Sequence, residues 1–248
     1  ATSKEKYLPK VEKRPIVHDL KRLLRHKELL PVLLVWCLAS LGYGLMFSAS
    51  VYYIMYYMVR PDLISAYMGV ISIGALISMV VLMPIALKIF KTGQKALIVT
   101  QGASFVLYAL LFFFGKNITF LFIGSFLATC IASMGNALVN VLVNDVIDFI
   151  QLKEGVALNG TIAAVKGFAQ KCGNTVTNSG ILAVLAITGY IAGAVGQQPQ
   201  IALIGINFLR FGAPAITAAV VVICLKFYPI EKYYGEIEEM KSKMIAND

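Results

Sequence analysis

The chain has 248 residues, of which 58% are hydrophobic and only 14% are charged. A soluble domain of this size cannot bury so much apolar side chain, so the composition excludes a water-soluble globular protein. The apolar residues form long continuous runs rather than alternating with polar ones, which excludes a membrane β-barrel and leaves transmembrane helices.

Six apolar stretches are each long enough to cross a bilayer, which takes about 20 helical residues. They cover residues 30–58, 64–87, 96–114, 118–143, 161–191 and 201–227. We therefore predict an all-α membrane protein in which six transmembrane helices form a bundle.

The segments on either side of these stretches are polar. In residues 1–29, apolar side chains recur at helical spacing between basic ones, at Ile16, Leu20, Leu23 and Leu24. This pattern predicts a cytoplasmic linker that contains an amphipathic helix lying on the membrane surface. Residues 228–248 are charged and are predicted to form a solvated cytoplasmic tail.

The net charge of +9 follows the predicted membrane topology rather than a nucleic-acid surface. Nine lysine and arginine residues precede the first stretch, and the loops on the same side carry eight more, whereas the alternate loops hold only Arg60 and Lys116. Cytoplasmic loops are rich in Lys and Arg, so both termini are predicted to be cytoplasmic, in a multi-pass protein of the cell membrane. Lipid is then a partner and nucleic acid is not.

Enzymatic chemistry is not expected from this sequence. There is no glycine-rich phosphate loop, and the two histidines, His18 and His26, lie in the leader. The four cysteines fall inside apolar stretches without metal-binding spacing, at Cys37, Cys130, Cys172 and Cys224. We predict no disulfide framework, no metal site and no bound cofactor other than a coupling cation.

The fourth stretch carries polar residues at four-residue spacing. Asn136, Asn140, Asn144 and Asp148 follow one another in this way, with Asp145 beside the last. Steps of four residues drift by only about 40° around a helix, so these side chains form one stripe. Such a stripe faces protein or water rather than lipid.

The fifth stretch carries Lys171 near its middle, with Gly167 and Asn174 on the same helical face. A lysine at mid-membrane costs about 2.5–3.5 kcal/mol on insertion scales, so Lys171 should face a carboxylate or a polar cavity. Lys166 lies nearer the cytoplasmic end, where its side chain could instead reach the interface.

Three further polar or aromatic positions leave their roles open. Arg210 lies within the sixth stretch, four residues before Pro214, and either a structural pairing or a ligand role is compatible with that position. Tyr53 and Tyr56 crowd the outer end of the first stretch. They suit an aromatic belt at the membrane interface, and they could also line an outer vestibule.

Three short motifs occur together in the second half of the chain. They are NDVIDFIQLKEG at residues 144–155, NGT at 159–161 and KCG at 171–173. They resemble the D-x-x-[DE]-[YF] pattern and the K-x-G turns of the glycoside-pentoside-hexuronide:cation symporters, a branch of the major facilitator superfamily that includes melibiose permease. The resemblance covers nearly the whole chain. It implies that the six stretches correspond to the C-terminal six-helix bundle of a twelve-helix transporter.

The resemblance also implies a substrate and cation cavity. Lys171 matches the family's lysine beside the cation and sugar sites, and Gly167 and Gln170 line the sugar cavity on the same helix. Other polar positions predicted to belong to the cavity are Asn136, Asn140 and Asn174. Asn136 departs from the tryptophan that melibiose permease presents to its sugar.

A cytoplasmic gate is implied by the same comparison. Asp145 and Asp148 match a charge network that closes the inner side, and Lys153 belongs to the K-x-G turn next to it. Ala157 and Asn159 stand where the family often has an arginine and a glutamate. The carboxylates that bind the coupling cation, Na⁺ or H⁺, lie mainly in the N-terminal half of such transporters.

The leading hypothesis is therefore half of a sugar or glycoside:cation symporter that works by alternating access. Its partner would be an N-terminal six-helix half of the same transporter. The alternatives are a non-transporting six-helix scaffold or inactive fragment, and a lipid-handling relative.

Overall fold

The computed structural model describes residues 29–90, 92–154 and 159–227, together with single helical positions at 235 and 239. The predicted surface helix within residues 1–29 and most of the predicted tail lie outside these ranges. In the described part of the chain every regular element is helical. The α-helices are α1 Leu29–Tyr52, α2 Ile64–Ile77, α3 Met83–Phe90, α4 Gly93–Phe114, α5 Ile118–Glu154, α6 Asn159–Ile187, α7 Gln200–Asn207 and α8 Ala213–Lys226.

Five helical segments are long and apolar enough to cross a membrane. They are Leu30–Tyr57, Pro61–Phe90, Gly93–Phe114, Ile118–Val146 and Gln200–Lys226. The prediction of a helical membrane protein is thus confirmed, with five segments of membrane-spanning length in the described part of the chain rather than the six predicted. Helix α6 is not among them, because lysine, asparagine and threonine side chains lower its hydropathy.

Short π-helical turns occur in three of these segments. They are Tyr53–Tyr57 after α1, Ser78–Leu82 between α2 and α3, and Phe208–Gly212 between α7 and α8. The last two turns come just before Pro84 and Pro214, which have no N–H to continue the α-helical hydrogen bonds. The wider turn accommodates the missing bond, so the chain continues as one long helix.

Helix α1 lies at the centre of the bundle and packs against α5, α6 and α8, while α4 packs between α5 and α8. The buried side chains form two clusters. One surrounds Trp36, Leu97 and Leu142, and the other surrounds Met46 and Phe211. Many large apolar side chains elsewhere on the segments are exposed, as expected of helices whose outer faces contact lipid.

The loops that join the segments are held by local hydrogen bonds. Between α1 and α2, Arg60 and Asp62 form an exposed ion pair at 2.8 Å, and the hydrogen bonds that Arg60 donates to the Asp62 carboxylate raise the pKa of the guanidinium. After α6, Gly193 has φ +80°, a conformation that favours glycine, and its N–H donates to the Tyr56 hydroxyl at 3.3 Å. This bond ties the loop after α6 to the end of the first segment.

Helices α1 and α6 approach each other closely along small residues. A Cβ atom added at Gly173 would lie 2.7 Å from the Cys37 carbonyl oxygen. One turn further on, the Thr177 hydroxyl lies 3.2 Å from the Leu41 carbonyl oxygen, to which it donates. Small residues allow such backbone contact between membrane helices. Helix α6 is therefore held against α1 along the face that contains Gly173 and Thr177.

We predict that Gly173→Ala destabilises the bundle. The added methyl group would force the backbones of α1 and α6 apart, at a cost of about 1–3 kcal/mol. Thermal unfolding of the purified chain in detergent measures this loss.

Gly180→Ala is the matched control on the same helix, because a Cβ atom at Gly180 meets nothing within 4 Å. It should leave the unfolding temperature unchanged or raise it slightly. Equal unfolding temperatures for the two variants would contradict the close contact.

Candidate substrate and cation site

The polar stripe of α5 extends further than the asparagines that predicted it. Asn136 and Asn140 are partly buried, and the Asn140 amide donates to the Asn136 carbonyl oxygen at 3.3 Å. Towards the start of α5, the same face continues through three fully buried hydroxyl residues, Ser125, Thr129 and Ser133. The four-residue spacing of these hydroxyls is visible in the sequence and could have revealed them.

Part of the Asn136 side chain faces the inside of the bundle. It lines a cavity of about 20 Å³ between α1, α4, α5 and α8. Other polar side chains around this cavity are Tyr43, Gln101, Tyr108 and Thr217. A cavity of this size has room for about one water molecule. Sequence reasoning missed these four residues because they come from three other helices.

Lys171 lies on an exposed face of α6. Gln170 and Asn174 beside it are also exposed, and Gly167 is half-buried with open space where a Cβ atom would stand. Lys171 makes no hydrogen bond or ion pair to another residue within the described ranges. The structure thus brings four of the predicted cavity residues together on one polar helix face.

Lys166 has different surroundings because it lies about 140° around α6 from Lys171. Its ammonium group donates a hydrogen bond to the Asn140 side-chain oxygen. The same ammonium lies over the Trp36 ring, 4.5 Å from the centroid. Lys166 therefore points into the junction of α1, α5 and α6.

Arg210 is fully buried in the π-helical turn Phe208–Gly212. Its guanidinium donates to the Tyr67 hydroxyl at 2.8 Å, and that hydroxyl lies 2.7 Å from the Ser125 hydroxyl oxygen. The guanidinium carbon also lies 4.5 Å from the centre of the Phe211 ring. Arg210 Nε and Nη1 have no hydrogen-bond partner in the described part of the protein. In this conformation Arg210 has a structural pairing and does not reach the polar face of α6.

Tyr53 and Tyr56 pack inside the bundle at the end of the first segment. Tyr53 has no exposed surface and stacks on Tyr57 with 4.7 Å between ring centres. Tyr56 lies 5.1 Å from the Tyr190 ring. Neither side chain lines an open vestibule in this conformation, because the neighbouring aromatic residues cover both of them.

The predicted gate residues lie near the end of α5. This helix has 37 residues, about 55 Å, and continues past the apolar segment that ends at Val146. The Asp145 carboxylate lies next to the start of α4, with Oδ2 3.9 Å from the position of a Cβ atom on Gly93. Asp148 and Lys153 are on the same helix, and their side chains lie outside the described part.

Among the described residues no group of three His, Cys, Asp or Glu side chains is arranged to hold a metal ion. The four cysteines are free thiols in the structure.

Comparison with known proteins identifies the family. Residues 2–232 match the sequence profile of the family described as MFS/sugar transport protein. The chain belongs to this family. The predicted resemblance to the sugar:cation symporters of the major facilitator superfamily is thereby confirmed.

Several named relatives are 28–30% identical to this chain over the matched region. A proposed sulfoquinovose importer of Escherichia coli is 30% identical, over 88% of this chain and 48% of its own length. The uncharacterized symporter YjmB of Bacillus subtilis is 29% identical, over 87% of this chain and 46% of its own. A proposed 2,3-dihydroxypropane-1-sulfonate exporter of E. coli is 29% identical, over 84% and 45%. The chain therefore spans less than half the length of these relatives.

We predict that Tyr67→Phe destabilises the bundle. The substitution keeps the aromatic ring but removes the hydroxyl that accepts from Arg210, so a buried charged donor loses its hydrogen bond. The expected cost is about 1–3 kcal/mol, measured as a lower unfolding temperature in detergent.

Tyr52→Phe serves as the control, because Tyr52 is half-buried and makes ring contacts to Tyr56 and Tyr190. It should change stability by less than about 0.5 kcal/mol. If the two variants unfold at the same temperature, Tyr67 does not stabilise the buried arginine.

Proposed function

We propose that this chain is the C-terminal half of a secondary active transporter that couples uptake of a sugar or sugar-derived solute to Na⁺ or H⁺. Membership of the sugar transport family and the five membrane-length segments support a transporter. The proposal of a half rests on the relatives, each of which is more than twice as long as the part that this chain matches.

The exposed polar face of α6 is the observation that carries the proposal. Lys171, Gln170 and Asn174 would be costly to expose to lipid, since a central lysine alone costs about 2.5–3.5 kcal/mol. The opposite face of the helix packs on α1. A water-filled cavity with a second bundle on its far side would satisfy the polar face, as in transporters built from two halves. In that arrangement α6 is the sixth transmembrane helix.

The residues would then divide into two groups. In the cavity, Lys171 would pair with a carboxylate of the other half, and Gly167, Gln170, Asn136, Asn140 and Asn174 would line the path of the solute. At the inner end, Asp145, Asp148 and Lys153 would form contacts that break when the cavity opens inward. The coupling cation would bind mainly to the N-terminal half, and both chain ends would be cytoplasmic.

The relatives suggest a chemical class for the solute. The names of the E. coli relatives at 30% and 29% identity both specify sulfonated compounds. We propose that the solute is a polyhydroxylated molecule with an acidic group. Lys166 and Lys171 support this proposal. They are the charged residues in the sequence of α6, and both are positive, as an acidic solute would require.

We predict that Lys171→Gln abolishes cation-driven accumulation. In the complete two-half transporter, the substitution would leave the partner carboxylate unpaired, at a cost of about 2–5 kcal/mol. Uptake of labelled solute into proteoliposomes should fall at least tenfold under an imposed Na⁺ or H⁺ gradient.

Lys116→Gln is the matched control, because Lys116 lies in the turn between α4 and α5, away from α6. Accumulation by this variant should equal that of the unmodified protein. Unchanged accumulation by Lys171→Gln would contradict the coupling role of Lys171. Transport by this chain reconstituted alone would contradict the half-transporter proposal.

A further inference from the structure

Lys166 of α6 is a cation whose partners in the described part of the chain are neutral. The Asn140 oxygen accepts its hydrogen bond and the Trp36 ring lies beneath it. A cation–π contact contributes about 0.5–2 kcal/mol and a hydrogen bond to a charged group about 1.5–3 kcal/mol. Both interactions stabilise the ammonium group, but neither neutralises it.

No carboxylate in the described ranges forms an ion pair with Lys166, and the ion pair found there joins Arg60 to Asp62 in a distant loop. Among the described residues, no negative charge compensates the ammonium group of Lys166 at the junction of three helices. A partly desolvated charge of this kind favours the binding of an anion.

The surroundings of Lys166 have room and hydrogen-bonding groups for a ligand. Lys166 is only half-buried, and the next residue, Gly167, has no atom within 4 Å of the position of its missing Cβ. Trp36 has 4% of its surface exposed, and its indole N–H has no acceptor in the described part of the chain. The cation therefore lies over the indole ring that carries the unused donor, and the open position at Gly167 follows Lys166 directly in the chain.

We propose that Lys166, supported by Trp36 and Asn140, binds the anionic group of the transported solute, a sulfonate or a carboxylate on a polyhydroxylated molecule. This assignment rests on the proposed transport function and gives the two lysines of α6 separate tasks. Lys171 responds to the coupling partner, whereas Lys166 selects the charge of the solute. Gln170, one helical turn after Lys166, is placed to bind the hydroxyl groups of the same solute.

A matched set of solutes tests the assignment in the complete transporter. Sulfoquinovose, glucuronate and glucose share a six-membered sugar ring. They differ at carbon 6, which bears a sulfonate, is itself a carboxylate or bears a neutral hydroxyl, respectively. The protein should accumulate one or both anionic sugars at least tenfold better than glucose. Lys166→Gln should remove most of that preference and Lys166→Arg should retain it, because arginine also pairs with sulfonate and carboxylate groups.

A second variant separates anion binding from a purely structural role. Asn140→Asp keeps a hydrogen-bond acceptor for Lys166 and holds α5 to α6, but its carboxylate neutralises the ammonium. If Lys166 binds the solute, Asn140→Asp should lose the preference for anionic sugars at least as strongly as Lys166→Gln. An Asn140→Asp protein that keeps the preference for anionic sugars overturns the assignment.

The remaining outcomes also discriminate. An unmodified transporter that prefers glucose contradicts the anion site but leaves sugar transport standing. An equal loss of uptake of all three sugars in Lys166→Gln, with the preference preserved, overturns the assignment. A protein that accumulates none of the three contradicts the proposed function itself. Lys116→Gln should reproduce the unmodified protein throughout.

Discussion

A positive charge inside an apolar helix bundle has to find polar partners, and this requirement accounts for much of the arrangement seen here. Arg210 is fully buried next to the Phe211 ring and bonded to the Tyr67 hydroxyl. Lys166 is half-covered and bonded to Asn140 over an indole ring. Lys171 remains on an exposed face among other polar residues. The three cations thus range from fully buried to exposed.

The close contact between α1 and α6 explains why Lys166 and Lys171 differ in exposure. Gly173 brings the two backbones together, and the face of α6 that contains it also contains Lys166. Lys166 is therefore directed towards Trp36, whereas Lys171 is turned away from α1. A larger residue at the contact would move both lysines. The polar positions of α6 consequently depend on a residue that has no polar side chain of its own.

Function follows from which polar surfaces the bundle encloses and which it leaves open. The buried stripe from Ser125 to Asn136 and the small cavity beside Asn136 are interior to this bundle. Within this stripe the Ser125 hydroxyl lies 2.7 Å from the Tyr67 hydroxyl, so part of the stripe is paired inside the bundle. The proposed second bundle would cover the open face around Lys171, and the relatives are more than twice as long as the part that this chain matches.

Class of fold and family could be predicted from sequence, because bilayer thickness and backbone hydrogen bonding dictate long apolar helices. Helical spacing was also sufficient to place Lys171, Gly167 and Asn174 on one face, since residues three and four apart are neighbours on any α-helix. The stripe of asparagines was visible for the same reason.

Contacts between helices far apart in the chain could not be predicted in this way. The sequence left open whether Lys166 reached the interface, and only the packing of α1, α5 and α6 brought it to Trp36 and Asn140. Likewise, Tyr53 is of a residue type common at the membrane interface, but it is buried against Phe211 and Tyr57. Periodicity determines the face of a helix on which a residue lies. The neighbour that covers that face is decided by tertiary structure, because it depends on how closely distant backbones can approach.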